Sequence, residues 1–239
     1  MSENERSLQT RTNWIRQVEL YNNPSYQQEK GNLELLEALE KVRSKIARGP
    51  TPAFNEAHVI KALEIIANQG TVGRLTLSIK LGLGIGTTRT VLKHLKNEGF
   101  IISSKNGFAL SEQGEELYSN IQSSISERIL VPKTPIAVGP IVVALLVRNR
   151  AHKVGRGIEQ RNTAIRAGAS GATTLIFFNN KITMPSKKNH KLNDLSKIQD
   201  IIKSKLTPKE NDVIIFGSGM DKINAEIGAL MVSLKLLET

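Results

Sequence analysis

Residues 54–117 constrain the fold of this 239-residue chain more than any other stretch. They read FNEAHVIKALEIIANQGTVGRLTLSIKLGLGIGTTRTVLKHLKNEGFIISSKNGFALSEQGEEL. Apolar residues at helical spacing predict helices over residues 54–68, 76–81 and 87–97, with a glycine-rich turn before the third. The Asn-Gly pair at positions 106 and 107 lies between two short apolar runs, which is a strong signal for a β-hairpin. Three helices followed by a hairpin are therefore expected here.

The third predicted helix is basic on one side only. Val91, Leu92 and Leu95 form its apolar face, and at 100° per residue its charged residues fall on the opposite face. Six basic residues lie between positions 74 and 105, against a single acidic residue, Glu98. This pattern predicts a winged helix-turn-helix, whose third helix lies in the major groove of DNA and whose hairpin is the wing. The residues predicted to contact double-stranded DNA are Arg74, Thr87, Arg89, Thr90, Lys93, Lys96, Asn97, Lys105 and Asn106.

The charge of the whole chain also favours a polyanionic partner. Its formal net charge is +11, which favours nucleic acid first and an anionic membrane second. A lysine-rich helix face is often only a solvated surface, however, and winged helices also bind other proteins. A second basic excess follows residue 131 and needs a separate explanation.

Composition indicates a cytoplasmic protein that does not contact the membrane. Cysteine is absent, which excludes disulfides and thiolate metal sites and fits a reducing compartment. The first 16 residues are polar and mixed in charge, unlike a signal peptide. The longest apolar run, over residues 135–147, is shorter than the roughly 20 residues that span a bilayer.

Residues 1–49 are predicted to form a helical extension. Apolar residues at helical spacing between positions 14 and 21 predict a short helix, and a frayed extension is the alternative. A second helix is predicted over residues 33–47. Its apolar stripe comprises Leu35, Leu36, Leu39, Val42 and Ile46. This stripe needs a partner surface on its own chain or on a second copy, and the helix predicted over residues 111–129 is the other candidate dimer element.

Beyond residue 132 strands and helices alternate. Strands are predicted at residues 141–148, 173–178, 181–184 and 212–216, and helices at residues 154–167, 191–205 and 221–237. The order βαββαβ with an added C-terminal helix matches the ferredoxin-like plan, and a small open α/β sheet is the alternative. The predicted fold class is therefore α+β. It comprises the extension (1–49), a winged helix-turn-helix domain (52–130) and a small α/β domain for effector binding or dimerisation (135–239).

Two predicted strand-to-helix junctions are rich in glycine, RNRAHKVGRG at residues 148–157 and GSG at residues 217–219. A glycine loop before a helix offers free amides and the positive end of the helix dipole to an anion. Glu226 lies in an otherwise apolar helix, where a carboxylate is expected to be paired or to belong to a site. If both junctions share one sheet edge, a small anionic effector would bind there; ordinary tight turns are the alternative. The candidate ligand-binding residues are Arg148, Gly155, Arg156, Gly157, Glu159, Arg161, Gly217, Ser218, Gly219, Asp221 and Glu226.

Signatures of catalysis are poor. The four histidines are scattered without the spacing of metal ligands. Ser218 lies in Gly-Ser-Gly and lacks the Gly-x-Ser-x-Gly elbow of hydrolases. We therefore expect no enzyme activity, no catalytic residues, no metal and no cofactor.

Three blocks of the sequence resemble a family of archaeal proteins that combine an N-terminal winged helix with a C-terminal domain of unknown function. The blocks are FNEAHVIKALEIIANQGTVGRLTLSIKLGLGIGTTRTVLKHLKNEGFI, RNRAHKVGRGIEQRNTAIRAGASGATTLIF and DVIIFGSGMDKINAEIGAL. The resemblance covers roughly residues 52–237 and is most specific in the two C-terminal blocks. It implies an archaeal transcriptional regulator and supplies no ligand.

The function expected from the sequence is DNA-binding transcription regulation. The winged helix would read operator DNA as a homodimer, and the C-terminal domain would dimerise, bind an effector, or both. Because of the second basic excess, an RNA- or ribosome-associated protein is the alternative. An enzyme that acts on a phosphorylated metabolite and carries an appended winged helix is a third interpretation.

Overall fold

The computed structural model describes residues 23–44, 54–185 and 196–238. Within these ranges the chain is a mixed α+β protein with two antiparallel sheets. The N-terminal half contains α1 (Pro24–Ser44), α2 (Glu56–Gln69), α3 (Arg74–Leu81), α4 (Ile85–Asn97), β1 (Ile101–Ser104), β2 (Gly107–Leu110) and α5 (Glu112–Ser124). The C-terminal half contains β3 (Ile129–Val131), β4 (Ile141–Val147), a 3-10 turn (Ala151–Lys153), α6 (Ile158–Arg166), β5 (Gly171–Phe178), β6 (Lys181–Thr183), α7 (Ser196–Leu206), β7 (Val213–Gly219) and α8 (Lys222–Leu237).

Local sequence signals set the elements of the N-terminal half. The Asn55 side chain accepts a hydrogen bond from the His58 amide and caps α2. Gly82 ends α3 in the left-handed conformation, which glycine adopts without strain, and its amide bonds back to the last turn of α3. Ser111 caps α5 by accepting from the amide of Gly114. The helices and the hairpin predicted from residue 54 onward are therefore present, although α3 and α4 each begin two residues earlier than predicted.

Helix α1 begins at Pro24, nine residues before the predicted start, because proline is favoured in the first turn of a helix. Leu35, Leu39 and Val42 are buried against α2, α4, α5 and α8 of the same chain. The alternative in which this stripe packs on its own chain is therefore the observed one. The helix predicted between residues 14 and 21 lies outside the described residues, as does the end of the helix predicted over residues 33–47.

Helix α5 is shorter than predicted, since it ends at Ser124 rather than at residue 129. Ile125 is extended and forms a bridge with Val147, and Ile129 lies in β3, which pairs antiparallel with β4. The apolar residues of the helix predicted over residues 111–129 therefore divide between a helix and a strand. The second sheet consequently begins at Ile129, before the domain start predicted at residue 135.

The second sheet has five strands in the order β3-β4-β7-β5-β6, and all its pairings are antiparallel. The chain has the predicted βαββαβ series, but the ferredoxin-like plan is wrong, because that plan places the last strand at an edge. Here β7 lies between β4 and β5. All seven of its residues are buried, because β4 and β5 pair with it on its two edges and apolar clusters cover both of its faces.

Helices cover both faces of this sheet. Helices α6 and α8 pack on one face and α7 packs on the other, where Ile198, Ile202 and Leu206 meet the sheet. The hydrophobic cluster under α8 continues into the N-terminal half and includes buried residues of α1, α2 and α4. The two halves thus share one core. Within the described residues, the helices are all too short or too polar to cross a membrane.

Candidate nucleic-acid interface and interdomain cleft

Helix α4 separates apolar and basic residues cleanly. Val91, Leu92 and Leu95 are buried with Thr88 and His94. His94 lies with Nδ1 2.6 Å from the carbonyl oxygen of Val42, which ties α4 to α1. The predicted contact residues lie on the other side: Arg89, Lys93, Lys96 and Asn97 are exposed, and Thr87 and Thr90 are half-buried. The cations Arg89, Lys93 and Lys96 form no ion pair with a described carboxylate.

The hairpin is held beside α4 and against the loop before α3. Lys96 donates a hydrogen bond from Nζ to the Ser103 hydroxyl at 2.8 Å. Val72 forms a bridge with Phe108, and Gly107 has φ 133°, with no space for a Cβ because the Val72 carbonyl would lie 2.5 Å from it. The loop residues Lys105 and Asn106 are exposed, as is Arg74 at the start of α3. All nine predicted DNA-contacting residues thus lie outside the core.

At the first glycine-rich junction, residues 148–157, only some of the basic side chains are free to bind an anion. Arg148 donates to Asp212 at 2.7 Å, and Arg150 is buried and forms two hydrogen bonds with the Glu29 carboxylate. Both guanidinium groups are therefore already neutralised. The remaining predicted residues of this junction, Gly155, Arg156, Glu159 and Arg161, are exposed, while Gly157 is half-buried with φ 81° and precedes α6.

The second junction is not a loop. Gly217, Ser218 and Gly219 are the last residues of β7 and pair with β4. Their backbone groups pair within the sheet, so they are not free to bind an anion as was predicted. The glycines serve close packing instead, because a Cβ on Gly217 would collide with the carbonyl oxygen of Ala225 in α8. Asp221 caps α8 by accepting from the amide of Asn224 at 2.8 Å.

Glu226 does not face the first junction. Gly228 packs closely on Ala164 and Ala169 at α6, and Glu226, two residues earlier, lies on a different side of α8. Its carboxylate instead lies 2.5 Å from Nζ of Lys61 in α2. The expectation that Glu226 is paired is correct, but its partner lies in α2 rather than at either glycine-rich junction.

An ion network surrounds Glu226 between the two halves. Arg128, in the segment between α5 and β3, pairs with Glu64 of α2, and its Nε lies 3.9 Å from Glu226. Lys222 lies 3.6 Å from Glu226. The side chains of Glu226, Lys61 and Arg128 are each at most 8% exposed. Burial lowers the pKa of Lys61, and the neighbouring Glu226 carboxylate partly offsets this effect. Burial also lowers the pKa of Arg128, while Glu226 opposes that shift.

This network lines a cleft of about 380 Å³ between α2, α3 and the start of α8. Its charged lining residues are Lys61, Glu64, Lys80, Arg128, Lys222 and Glu226. Sequence reasoning found only Glu226 among them. The sequence signal that could have indicated this cleft is Lys61, a charged residue that lies between Ile60 and Ala62 on the apolar side of α2 and is buried. Within the described residues, no cluster of three or more His, Asp or Glu could hold a metal ion.

Comparisons with known proteins found similarity to one domain family and to a solved structure. Residues 138–236 match the model of a family described as Domain of unknown function (DUF4443). The structure is similar to that of hypothetical protein PH0730 from Pyrococcus horikoshii OT3, with a TM-score of 0.63 and 25% sequence identity. The match covers 77% of this chain and 92% of that chain. No curated protein matches this chain. The expected domain of unknown function and the archaeal similarity are therefore found.

Proposed function

We propose that this protein is a DNA-binding transcription regulator. In this proposal α3, the turn at Gly82 and α4 form a helix-turn-helix, β1 and β2 form the wing, and α4 lies in the major groove. Arg89 and Asn97 would contact base edges, and Lys93 and Lys96 would contact phosphates.

The unpaired charge of α4 is the observation that carries the proposal. Arg89, Lys93 and Lys96 project from the side of α4 opposite the core, and described carboxylates neutralise none of them. In contrast, Arg148 and Arg150 of the second basic region are already paired. A row of free cations on a helix supported by a hairpin suits the polyanionic backbone of duplex DNA.

We propose that the regulator acts as a homodimer on a two-fold operator, because two α4 helices would then read two half-sites. The apolar stripes of α1 and α5 are buried within the chain, so a surface other than these two would form the dimer. Ile158 and Ile165 are exposed seven residues apart on α6 and offer one such surface.

The experiment measures binding to genomic duplex fragments by fluorescence anisotropy at low salt. We expect the wild type to bind, and the triple variant Arg89→Ala, Lys93→Ala, Lys96→Ala to lose at least about 100-fold in affinity, since each lost contact costs roughly 1 kcal/mol.

The matched control removes three exposed lysines from the C-terminal half, Lys181, Lys205 and Lys209, and should retain most of the affinity. Absence of DNA binding by the wild type would refute the proposal. RNA crosslinks that map to the C-terminal half rather than to α4 would favour the RNA-associated alternative.

A further inference from the structure

The cleft around Glu226 has the size and position of a ligand site. Its volume of about 380 Å³ lies within the range of roughly 300–1,000 Å³ that small-molecule pockets occupy. Helices α2 and α3 form one wall, α8 forms the other, and Arg128 comes from the segment that joins the two halves. A molecule bound there would touch both halves of the protein.

The charge lining the cleft is unbalanced. Four cationic side chains face two carboxylates. Glu226 and Glu64 are already engaged by Lys61 and Arg128, and Lys222 shares Glu226 at 3.6 Å. Lys80 forms no ion pair with a carboxylate in the described part of the chain. A network that served only to join the halves would need no surplus of two positive charges.

One buried donor in the network lacks an acceptor. The Arg128 side chain is only 8% exposed, and its Nε has no hydrogen-bond partner. A buried N–H without an acceptor is unfavourable, so a ligand oxygen that bonds to it would remove this cost.

We propose that this cleft binds a small metabolite that carries a phosphate group. The phosphate dianion would neutralise the surplus charge of Lys80 and Lys222 and accept from Arg128. Asn68 and Gln69, which also line the cleft, would bond to hydroxyl groups on the remainder of the molecule. The ligand class is thus a compact phosphate ester with polar substituents.

The same cleft offers a direct route to the helix-turn-helix. Gly82, in the turn between α3 and α4, packs on Ile223 of α8, so that a Cβ at Gly82 would lie 3.1 Å from Cγ2 of Ile223. Ile223 and Lys80 both line the cleft. Occupation of the cleft would therefore shift α3 and α4 relative to α8. This regulatory step rests on the proposed function, whereas phosphate binding itself does not.

The binding experiment uses isothermal titration calorimetry of the full chain with inorganic phosphate and with pyrophosphate. We expect one saturable site per chain. The double variant Lys80→Ala, Lys222→Ala should bind about tenfold or more weakly, because two charges next to the ligand are lost.

Lys235→Ala is the matched control, since Lys235 lies on the same helix as Lys222, is similarly exposed (57% against 61%) and pairs with Glu238 as Lys222 does with Glu226. The control should bind as tightly as the wild type. No saturable binding by the wild type at millimolar concentrations, or equal losses in the double variant and the control, would overturn the proposal.

A second measurement tests regulation. Anisotropy titrations with DNA, with and without pyrophosphate at matched ionic strength, should give different affinities for the wild type and equal affinities for Lys80→Ala, Lys222→Ala. If phosphate binds but the DNA affinity is unchanged, the regulatory step is wrong and the site stands. If phosphate binds and no DNA binds, the proposed function fails and the site again stands.

Discussion

Lysine and arginine side chains occupy two contrasting regions of this molecule, the outer face of α4 and the network around Glu226. On α4, Lys93 and Arg89 are exposed and have no carboxylate partner among the described residues. In the network, Lys61 and Arg128 are buried, and each lies against a carboxylate. The comparison teaches that the surroundings of a cation decide its role. A solvated cation can meet a distant polyanion, whereas a buried cation must be neutralised where it lies.

The largest expected effect comes from removing the centre of the buried network. Glu226→Ala leaves Lys61 without its nearest carboxylate and Arg128 with one partner fewer, and both of these cationic side chains are at most 8% exposed. Loss of one partner from a buried ion pair costs about 3–5 kcal/mol. We expect the free energy of unfolding in urea to fall by that amount.

Glu238→Ala is the control, because Glu238 is 51% exposed and pairs with Lys235 at the surface. Surface pairs contribute about 0–1 kcal/mol, so this variant should unfold almost as the wild type does. A loss below about 1 kcal/mol in Glu226→Ala would mean that the buried network behaves like a surface one.

A smaller effect is expected when one exposed cation is removed. Lys93→Ala should leave the free energy of unfolding unchanged and weaken DNA binding uniformly across sequences. Because one phosphate contact is lost, the slope of log K against log salt concentration should decrease in magnitude by about 1. Anisotropy titrations at several salt concentrations measure this slope.

Lys209→Ala serves as the reference variant, since Lys209 is exposed in the C-terminal half. Its salt slope should equal that of the wild type. Equal salt slopes for the wild type, Lys93→Ala and Lys209→Ala would show that α4 does not contact the phosphate backbone.

A third effect concerns protons and appears only at acidic pH. Burial, aided by the charge of Lys61, lowers the pKa of His58 from 6.5 to about 4. Above pH 6.5 this histidine is neutral in both the folded and the unfolded chain. As the pH falls towards 4 only the unfolded chain takes up the proton, so stability is lost across that window.

His58→Gln removes this titration and keeps a side chain that completes the capping box with Asn55. The difference in free energy of unfolding between wild type and variant should be constant above pH 6.5. Between pH 6.5 and 4 the wild type should lose stability relative to the variant. Urea denaturation at each pH measures it, with His152→Gln, an exposed site, as the control. A pH-independent difference would contradict the link between His58 and the buried charges.

Local signals account for what the sequence could predict. The Asn55 cap, the glycine turn at Gly82 and the Asn106-Gly107 pair each act over a few residues, and the elements they specify are present. The pairing of strands acts over long distances. Nothing near Gly217 shows that β7 continues through Gly219 between β4 and β5. Strand β3 is only three residues long, too short for alternation of apolar residues to reveal it.

The candidate sites divide in the same way. Periodicity alone placed the basic residues of α4 on its outer face. The partner of Glu226 is Lys61, 165 residues away, and no local pattern connects the two positions. Burial and pairing of Arg148 and Arg150 were equally hidden, because Asp212 and Glu29 approach them only in the folded chain. Local pattern therefore predicts helix faces, and folding decides which charges remain free.

The core that both halves share limits how the molecule can move. Buried residues run without a break from α1 and α2 to α8, and the His94 imidazole is bonded to the backbone of α1. A flexible hinge between the halves would have to open this core to water. Any rearrangement of α4 against the C-terminal half must therefore be a shear, in which packed helices slide by an ångström or so while their side chains stay in contact.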